Sequence, residues 1–441
     1  MKHWAHNGLK ALTSACVLSM MATVERSNLN PFRRLAGNTR WAILLALTSL
    51  YTMACAQQLI WLGTGSGTGS TATGVSDDGN FVCGYITGPT NYAFLWDRNT
   101  NTMQTLPTLG GRDARAYGIS PDGRYVVGRA MNPQLQTRPV RWLNGVPTAI
   151  TNAEGIAFDV DNTGNTVGYY LMSNGNSMAF LWDGTTLTNL GHLGGGFSQA
   201  YALASGSWGL AVVGRSATSP GSQVTDMAFL WKPGSGMTGL GSLGGRWSWA
   251  LGISRNGQVV VGTSWLSGSG GGRRHAFRWS ANQGMVDLGV VSGGPTTEAL
   301  ACTFDGTTIV GWGVDAQNQY VAFRWTQNGG MEDLNQTYAS LLQDGSRLAS
   351  ARAISPDGCY IVGQGYNAAT GRSEAFLLIT CCVSHNGDVD NNGCIEDADL
   401  LAVLFAFGST GSNLGRVDVN CDEVVDDADL LQVLFNFGSG C

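Results

Sequence analysis

Two acidic runs near the end of this 441-residue chain have the residue types and spacing of a hard-cation site. In Asp388-Val389-Asp390-Asn391-Asn392-Gly393-Cys394-Ile395-Glu396-Asp397-Ala398-Asp399, side-chain oxygens fall at positions 1, 3, 5, 9 and 12. Gly393 at position 6 suits a sharp turn, and the Cys394 carbonyl at position 7 offers another oxygen. That is the ligand order of a Ca²⁺ loop. The predicted ligands are Asp388, Asp390, Asn392, Cys394, Glu396 and Asp399. Asp418, Asn420, Asp422, Val424 (by its carbonyl), Asp426 and Asp429 repeat the spacing. Glu423 replaces the turn glycine in this second copy, so the second of the two Ca²⁺ sites is expected to bind more weakly or differently. Oxygen-rich loops suit Ca²⁺ rather than zinc, and no Cys-x-x-Cys pair supplies a thiolate site.

The charge of the whole chain is concentrated there. Residues 384–441 carry −10, with Arg416 the one basic residue, whereas the full chain carries −6. Residues 1–56 carry +5, which leaves 57–383 near neutral at −1. Each acidic loop runs into an almost identical segment: Asp399-Leu400-Leu401-Ala402-Val403-Leu404-Phe405-Ala406-Phe407-Gly408, then Asp429-Leu430-Leu431-Gln432-Val433-Leu434-Phe435-Asn436-Phe437-Gly438. The spacing predicts helices with an apolar face of Leu400, Leu401, Leu404, Phe405 and Phe407, stopped by Gly408 and Gly438.

Catalytic constellations are scarce. Beyond residue 56 the histidines are His192, His275 and His385. No G-x-S-x-G elbow, H-E-x-x-H helix or P-loop occurs. Lys and Arg are too few for a general nucleic-acid binder. Trp247, Trp249, Trp265 and Trp312, with Arg112 and Arg273, fall in two classes of connection predicted to share one face. Aromatic and guanidinium groups together predict a surface for protein or glycan.

The elements that must position these residues are read from internal repeats. Ala-Phe-x-Trp recurs at Ala93–Trp96, Ala179–Trp182, Ala228–Trp231, Ala276–Trp279 and Ala322–Trp325, with degenerate copies at 140–142 and 375–378. Between copies runs small-Gly-Ile-Ser, a turn, then Val-Val-Gly, clearest at Tyr117–Gly128. Leu-Gly-x-Leu-Gly-Gly follows the better copies, at Leu190–Gly195 and Leu240–Gly245. Asp-Gly or Asn-Gly at 78–79, 122–123, 256–257, 305–306 and 357–358 predicts tight hairpins with positive φ. Seven repeats of about four short strands predict a mainly β chain with a seven-bladed β-propeller over 57–380, followed at 381–441 by a small α-helical tandem calcium-loop module. Gln58–Gly63 lies ahead of the first repeat, and the seventh repeat lacks its own fourth strand, so the first strand is expected to complete the last sheet. An open β-solenoid is the rival all-β reading. The 63 glycines, about twice the usual share, belong to these turns.

The repeats resemble the HAF family of extracellular repeat proteins, named for a His-Ala-Phe tripeptide carried here by His275-Ala276-Phe277. The resemblance covers nearly all the repeats and implies export and a propeller, without an established activity. The tandem loop–helix segment resembles a type I dockerin over about 58 residues. That resemblance implies a docking module with a cohesin-like partner. Positions 10 and 11, where a dockerin carries hydroxyl residues, are Asp397-Ala398 and Asp427-Ala428.

Residues 41–56, after Arg33, Arg34 and Arg40 and ending Ala54-Cys55-Ala56, read as a secretory signal, too short to span a bilayer comfortably. No transmembrane span is expected elsewhere. Met20 or Met21 is an alternative start, and Cys55 a weak lipidation alternative. An exported chain with eight cysteines after residue 56 favours disulfides. Candidate pairs are Cys394 with Cys421, and Cys381 or Cys382 with Cys441. The expected protein is a secreted or cell-surface, noncatalytic binding propeller with a calcium-stabilised docking module. The alternatives are a dockerin-bearing glycoside hydrolase or polysaccharide lyase, and a structural envelope protein.

Overall fold

The computed structural model describes residues 57–219, 225–268, 272–380, 387–389, 394–410, 414, 417–420 and 424–439. The signal segment lies outside them. The chain divides into Gln57–Cys382 and the remainder.

Within Gln57–Cys382 the repeats become antiparallel four-stranded sheets. The first comprises Gly69–Val75, Phe81–Thr87, Tyr92–Asp97 and Thr102–Leu106. Equivalent sheets begin at Ala114–Ile119, Gly155–Val160 and Ser198–Gly206. Those beginning at Gly244–Ile253 and Thr296–Cys302 touch through one parallel bridge, Arg274 with Thr296. In the last, Arg347–Ile354, Tyr360–Asn367 and Arg372–Ile379 are joined by Gln58–Gly63, which pairs Gln58 with Ile379 and Trp61 with Phe376. The second strand of each sheet packs on the first strand of the next, and Tyr360–Asn367 on Gly69–Val75 closes the ring. A closed ring of radial four-stranded sheets is a β-propeller and leaves no solenoid ends.

The motifs explain the packing. The glycine of Val-Val-Gly sits directly across from the phenylalanine of Ala-Phe-x-Trp: Gly84 with Phe94, Gly262 with Phe277, Gly311 with Phe323, Gly363 with Phe376. A Cβ on Gly84 would strike the Thr71 carbonyl and the Phe94 ring. These phenylalanines are wholly buried.

The hairpin turns differ from expectation in one respect. Only the glycine has positive φ, as at Gly79 and Gly123, while the preceding aspartate does not. The preceding Ser of Gly-Ile-Ser makes the turn work. Ser120 Oγ donates to Asp122 Oδ1 (2.6 Å) and accepts the Tyr125 amide (2.9 Å). Ser76 and Ser254 act alike. Such side-chain bonds replace backbone partners that the turn cannot supply.

In the remainder of the chain, helices Asp397–Ala406 and Asp427–Phe435 each start with a capping box. A core of Val389, Ile395, Val403, Val417, Val419, Val425 and Val433 holds the two halves together. The exchange is reciprocal. Ile395 bonds the backbone of Gly438 and Ser439 after the second helix, and Val425 bonds that of Gly408 and Ser409 after the first. The predicted apolar face is not the buried one: Leu400 and Leu404 are half-buried and Leu401, Phe405 and Phe407 exposed, as are Leu431, Phe435 and Phe437, whereas Val403 and Val433, outside that prediction, face the core. A two-helix core is too small to cover every apolar position. Among the described residues no helix is long and apolar enough to cross a membrane.

Candidate binding face and candidate metal loops

Trp247 and Trp249 lie on strand Gly244–Ile253 itself, alternating with Ser248 and Ala250, both of which are wholly buried. The twofold alternation of a strand sends both indoles to one side. Trp265 and Trp312 lie in the C-terminal halves of the second strands of their own repeats, Val259–Leu266 and Thr308–Val314. Trp265 packs edge-on to Trp249 (4.9 Å between centroids) and to Trp247 (5.5 Å). Arginines extend the cluster. Arg215 lies over Trp249 at 4.6 Å and over Phe197 at 5.8 Å. Arg274 bridges Trp265 (5.4 Å) and Trp312 (5.6 Å), and Trp312 meets Tyr320 at 5.3 Å. The result is a continuous aromatic–guanidinium band over three consecutive repeats. The band unites all four predicted tryptophans. Of the predicted arginines, Arg273 is exposed beside Arg274, while Arg112 is exposed between the first two repeats and stands outside the band.

Two carboxylates balance the band. Asp226 pairs with Arg215 at 3.2 Å and Glu298 with Arg274 at 2.6 Å. Burial pushes both carboxyls upward, and the facing arginines pull them back. Arg215, Glu298 and Tyr320 escaped the sequence reading. A signal existed for Arg215 and for Trp312. The residue after the Val-Val-Gly glycine varies between repeats (Tyr85, Arg129, Tyr169, Arg215, Thr263, Trp312, Gln364) on an otherwise repeated scaffold.

The first strands line a narrow central space of about 190 Å³. Thr73, Tyr117, Phe158, Tyr201, Leu251, Leu300 and Arg352 occupy one repeat-equivalent level of it. Arg255 bonds Asp77 of the first repeat at 2.8 Å. Asp159 also borders this space. Its Oδ1 accepts the Val160 amide and its Oδ2 the Leu203 amide, and burial pushes its carboxyl up to about 6.

The other conspicuous residues are structural. Trp208 covers Gly257 in the turn of the next repeat, as Phe81 covers Gly123. His275 Nδ1 pairs with Asp287 at 2.9 Å, and His192 Nδ1 accepts the Gly194 amide. Cys83 and Cys302 are free, contrary to the expectation of general pairing. Each is a buried core residue of a different repeat, and burial pushes both thiols up to about 12. Cys359 and Cys394, in separate units of the chain, are each in a disulfide. Cys381, Cys382, Cys421 and Cys441 lie outside the described residues.

Of the predicted metal ligands, Asp390, Asn392 and Asp422 lie outside the described residues. Asp399 and Asp429 are wholly buried, and Asp418 almost so. Asp399 Oδ1 accepts the Val389 amide (2.6 Å) and Oδ2 the Glu396 amide (2.9 Å), so position 12 folds the loop around itself. Asp429 does the same with Asn420 and Asp426. Asp399, Asp418 and Asp429 are oxygen donors of the class Ca²⁺ takes. Among the described residues no cluster of three or more metal-ligating side chains is assembled.

No protein-family model matches the chain, and no curated protein matches it. Its structure is similar to the β-propeller domain of the trilobed protease from Pyrococcus furiosus, at 11% identity and TM-score 0.46, covering 70% of this chain and 95% of that one. It is also similar to the propeller domain of Cps50 (Swd1) from Myceliophteria thermophila, at 10% identity and TM-score 0.43, over 73% and 99%. TolB from Acinetobacter baumannii matches at 12% identity and TM-score 0.37 over 69% of this chain. The match spans 65% of that TolB chain. The propeller architecture here rests on the sheet topology.

Proposed function

We propose that this chain is an exported, noncatalytic, seven-bladed propeller that binds a protein or glycan, joined to a calcium-stabilised docking module. The observation that carries the binding role is the band Arg215–Trp249–Trp265–Arg274–Trp312. Trp265 is buried and supports the band, while the half-buried rings of Trp247, Trp249 and Trp312, edged by guanidinium groups, offer contact area and directed donors together, as recognition surfaces do. Seven sequence repeats, and the strand Gln58–Gly63 that completes the last sheet, support seven blades. Export is supported by the +5 leader with its apolar run. A Cys394–Cys421 bridge joins the two loops in this reading, and Cys441 pairs with Cys381 or Cys382.

Ca²⁺ binds the two loops through the carboxylates and carbonyls named above and so favours the folded module. The paired exposed phenylalanines Phe405 and Phe435 give the module an apolar face for a cohesin-like or cell-surface partner. A glycan array combined with product analysis on residues 57–441 tests the whole reading. Retention of a glycan without cleavage products supports it; turnover favours the carbohydrate-active enzyme instead.

A further inference from the structure

A cavity of about 560 Å³ lies between the last two repeats, lined by Glu298, Leu300, Trp312, Tyr320, Ala349, Ser350, Arg352, Gln364 and Ser373. Its size falls within the range of about 300–1,000 Å³ typical of small-ligand sites. Two of its polar atoms are buried without a hydrogen-bond partner: Ser350 Oγ and Arg352 Nε. Ser350 is 7% exposed, so its hydroxyl is beyond easy reach of bulk water. Orphaned buried polar atoms are rare, because each forfeits about 1–3 kcal/mol. Of the five such atoms among the described residues, two fall in this one cavity, where a bound ligand would supply their partners.

The charge of the cavity sets the ligand class. Glu298 is its one carboxylate among the described lining residues, and Arg274 already neutralises it at 2.6 Å. Arg352 makes no close ion pair among the described residues but lies within Coulombic reach of the same Glu298, so two guanidiniums face one carboxylate and the cavity is left with an excess positive charge. Gln364 Nε2 donates to Ser373 Oγ at 2.9 Å, which leaves its carbonyl oxygen to accept. Trp312 and Tyr320 form an apolar wall, and the 62% exposed Tyr320 stands at the solvent side.

We propose that this cavity binds a carboxylate-bearing sugar residue, with Arg352 on the carboxylate, Ser350 and Gln364 on hydroxyls, and the Trp312–Tyr320 wall against the ring's C–H face. A guanidinium–carboxylate contact is charge-assisted and directional. A neutral sugar would leave the excess guanidinium charge beside Glu298 unmatched. The inference deepens the binding role proposed above and rests on it.

Titration calorimetry of residues 57–441 with D-galacturonate and D-glucuronate, against D-galactose and D-glucose, is the test. The wild type is expected to bind one uronate at least tenfold more tightly than its neutral counterpart. Arg352→Gln should remove that preference, and Arg352→Lys should recover part of it. Ser350→Ala should weaken both sugars of the pair. Equal affinity for acidic and neutral sugars, or an unchanged preference in Arg352→Gln with an unchanged melting temperature, overturns the assignment. So does binding of none of these sugars. If glycan or protein capture sensitive to Trp249→Ala survives that failure, the binding role stands and only this cavity's assignment falls.

Discussion

Ser70 accepts the amide of Ala375 at 2.8 Å, across a sequence separation of 305 residues. The same hydroxyl donates to the Gly63 carbonyl at 2.5 Å, so one side chain clasps both chain ends that complete the last sheet. Ser198, Ser248 and Thr297 repeat this clasp between other sheets, each bonding an alanine amide and a Leu-Gly carbonyl.

Ser70→Ala leaves a buried amide and a buried carbonyl unpaired. The expected loss is about 1–3 kcal/mol. Urea unfolding of residues 57–441 measures it. An unchanged midpoint would mean that the strand pairing of Gln58–Gly63 closes the ring unaided.

Gly311→Ala places a Cβ against the Glu298 carbonyl and the Phe323 ring. Neither can retreat, because both belong to packed strands. The substitution is expected to cost at least about 2 kcal/mol. Thermal unfolding of the variant checks it.

Asp159 gives a pH signature. Its carboxyl is raised from 3.8 to about 6 in the folded chain. A raised carboxyl contributes stability that is fully present below its unfolded value and lost as pH climbs through its folded value. Between about pH 4 and 6 this group alone should cost on the order of 3 kcal/mol. Asp159→Asn is therefore expected to flatten the fall in stability over that window. Parallel slopes for wild type and variant would show that the group titrates normally.

Calcium should act on the C-terminal loops alone. With Ca²⁺ at a hundred times its dissociation constant, stabilisation is about 2.7 kcal/mol per site. Hydrogen exchange on the full chain should show peptides from Asp397–Ala406 and Asp427–Phe435 protected by Ca²⁺ and released by chelator. The propeller peptides should not change. Asp399→Ala should abolish the effect on the first helix.

The ring of sheets was legible because each repeat states its own strand order and its own turn. The Gly84–Phe94 pairing shows why: a glycine directly across from a phenylalanine on the next strand recurs because the ring needs the space. The hydroxyl clasps were illegible, because Ser70 and Ala375 are joined by closure and not by any local pattern. The tryptophans of the band could be singled out by departing from the repeat. Their partners could not: Arg215 reaches Trp249 across two sheets, and Glu298 reaches Arg274 across another pair. Phe405 and Phe435 fit a helical apolar period, but their exposure depends on how little core two short helices can build.

The central claim is that the aromatic–guanidinium band binds without catalysis. Titration of wild type and Trp249→Ala with a glycan or protein captured by residues 57–441 tests it most directly. A central anchor of this kind is worth about 2 kcal/mol or more, so the variant should bind at least about tenfold more weakly while still unfolding cooperatively, and with the ligand recovered intact. Equal affinity in the two proteins, or a cleaved ligand, would contradict the claim.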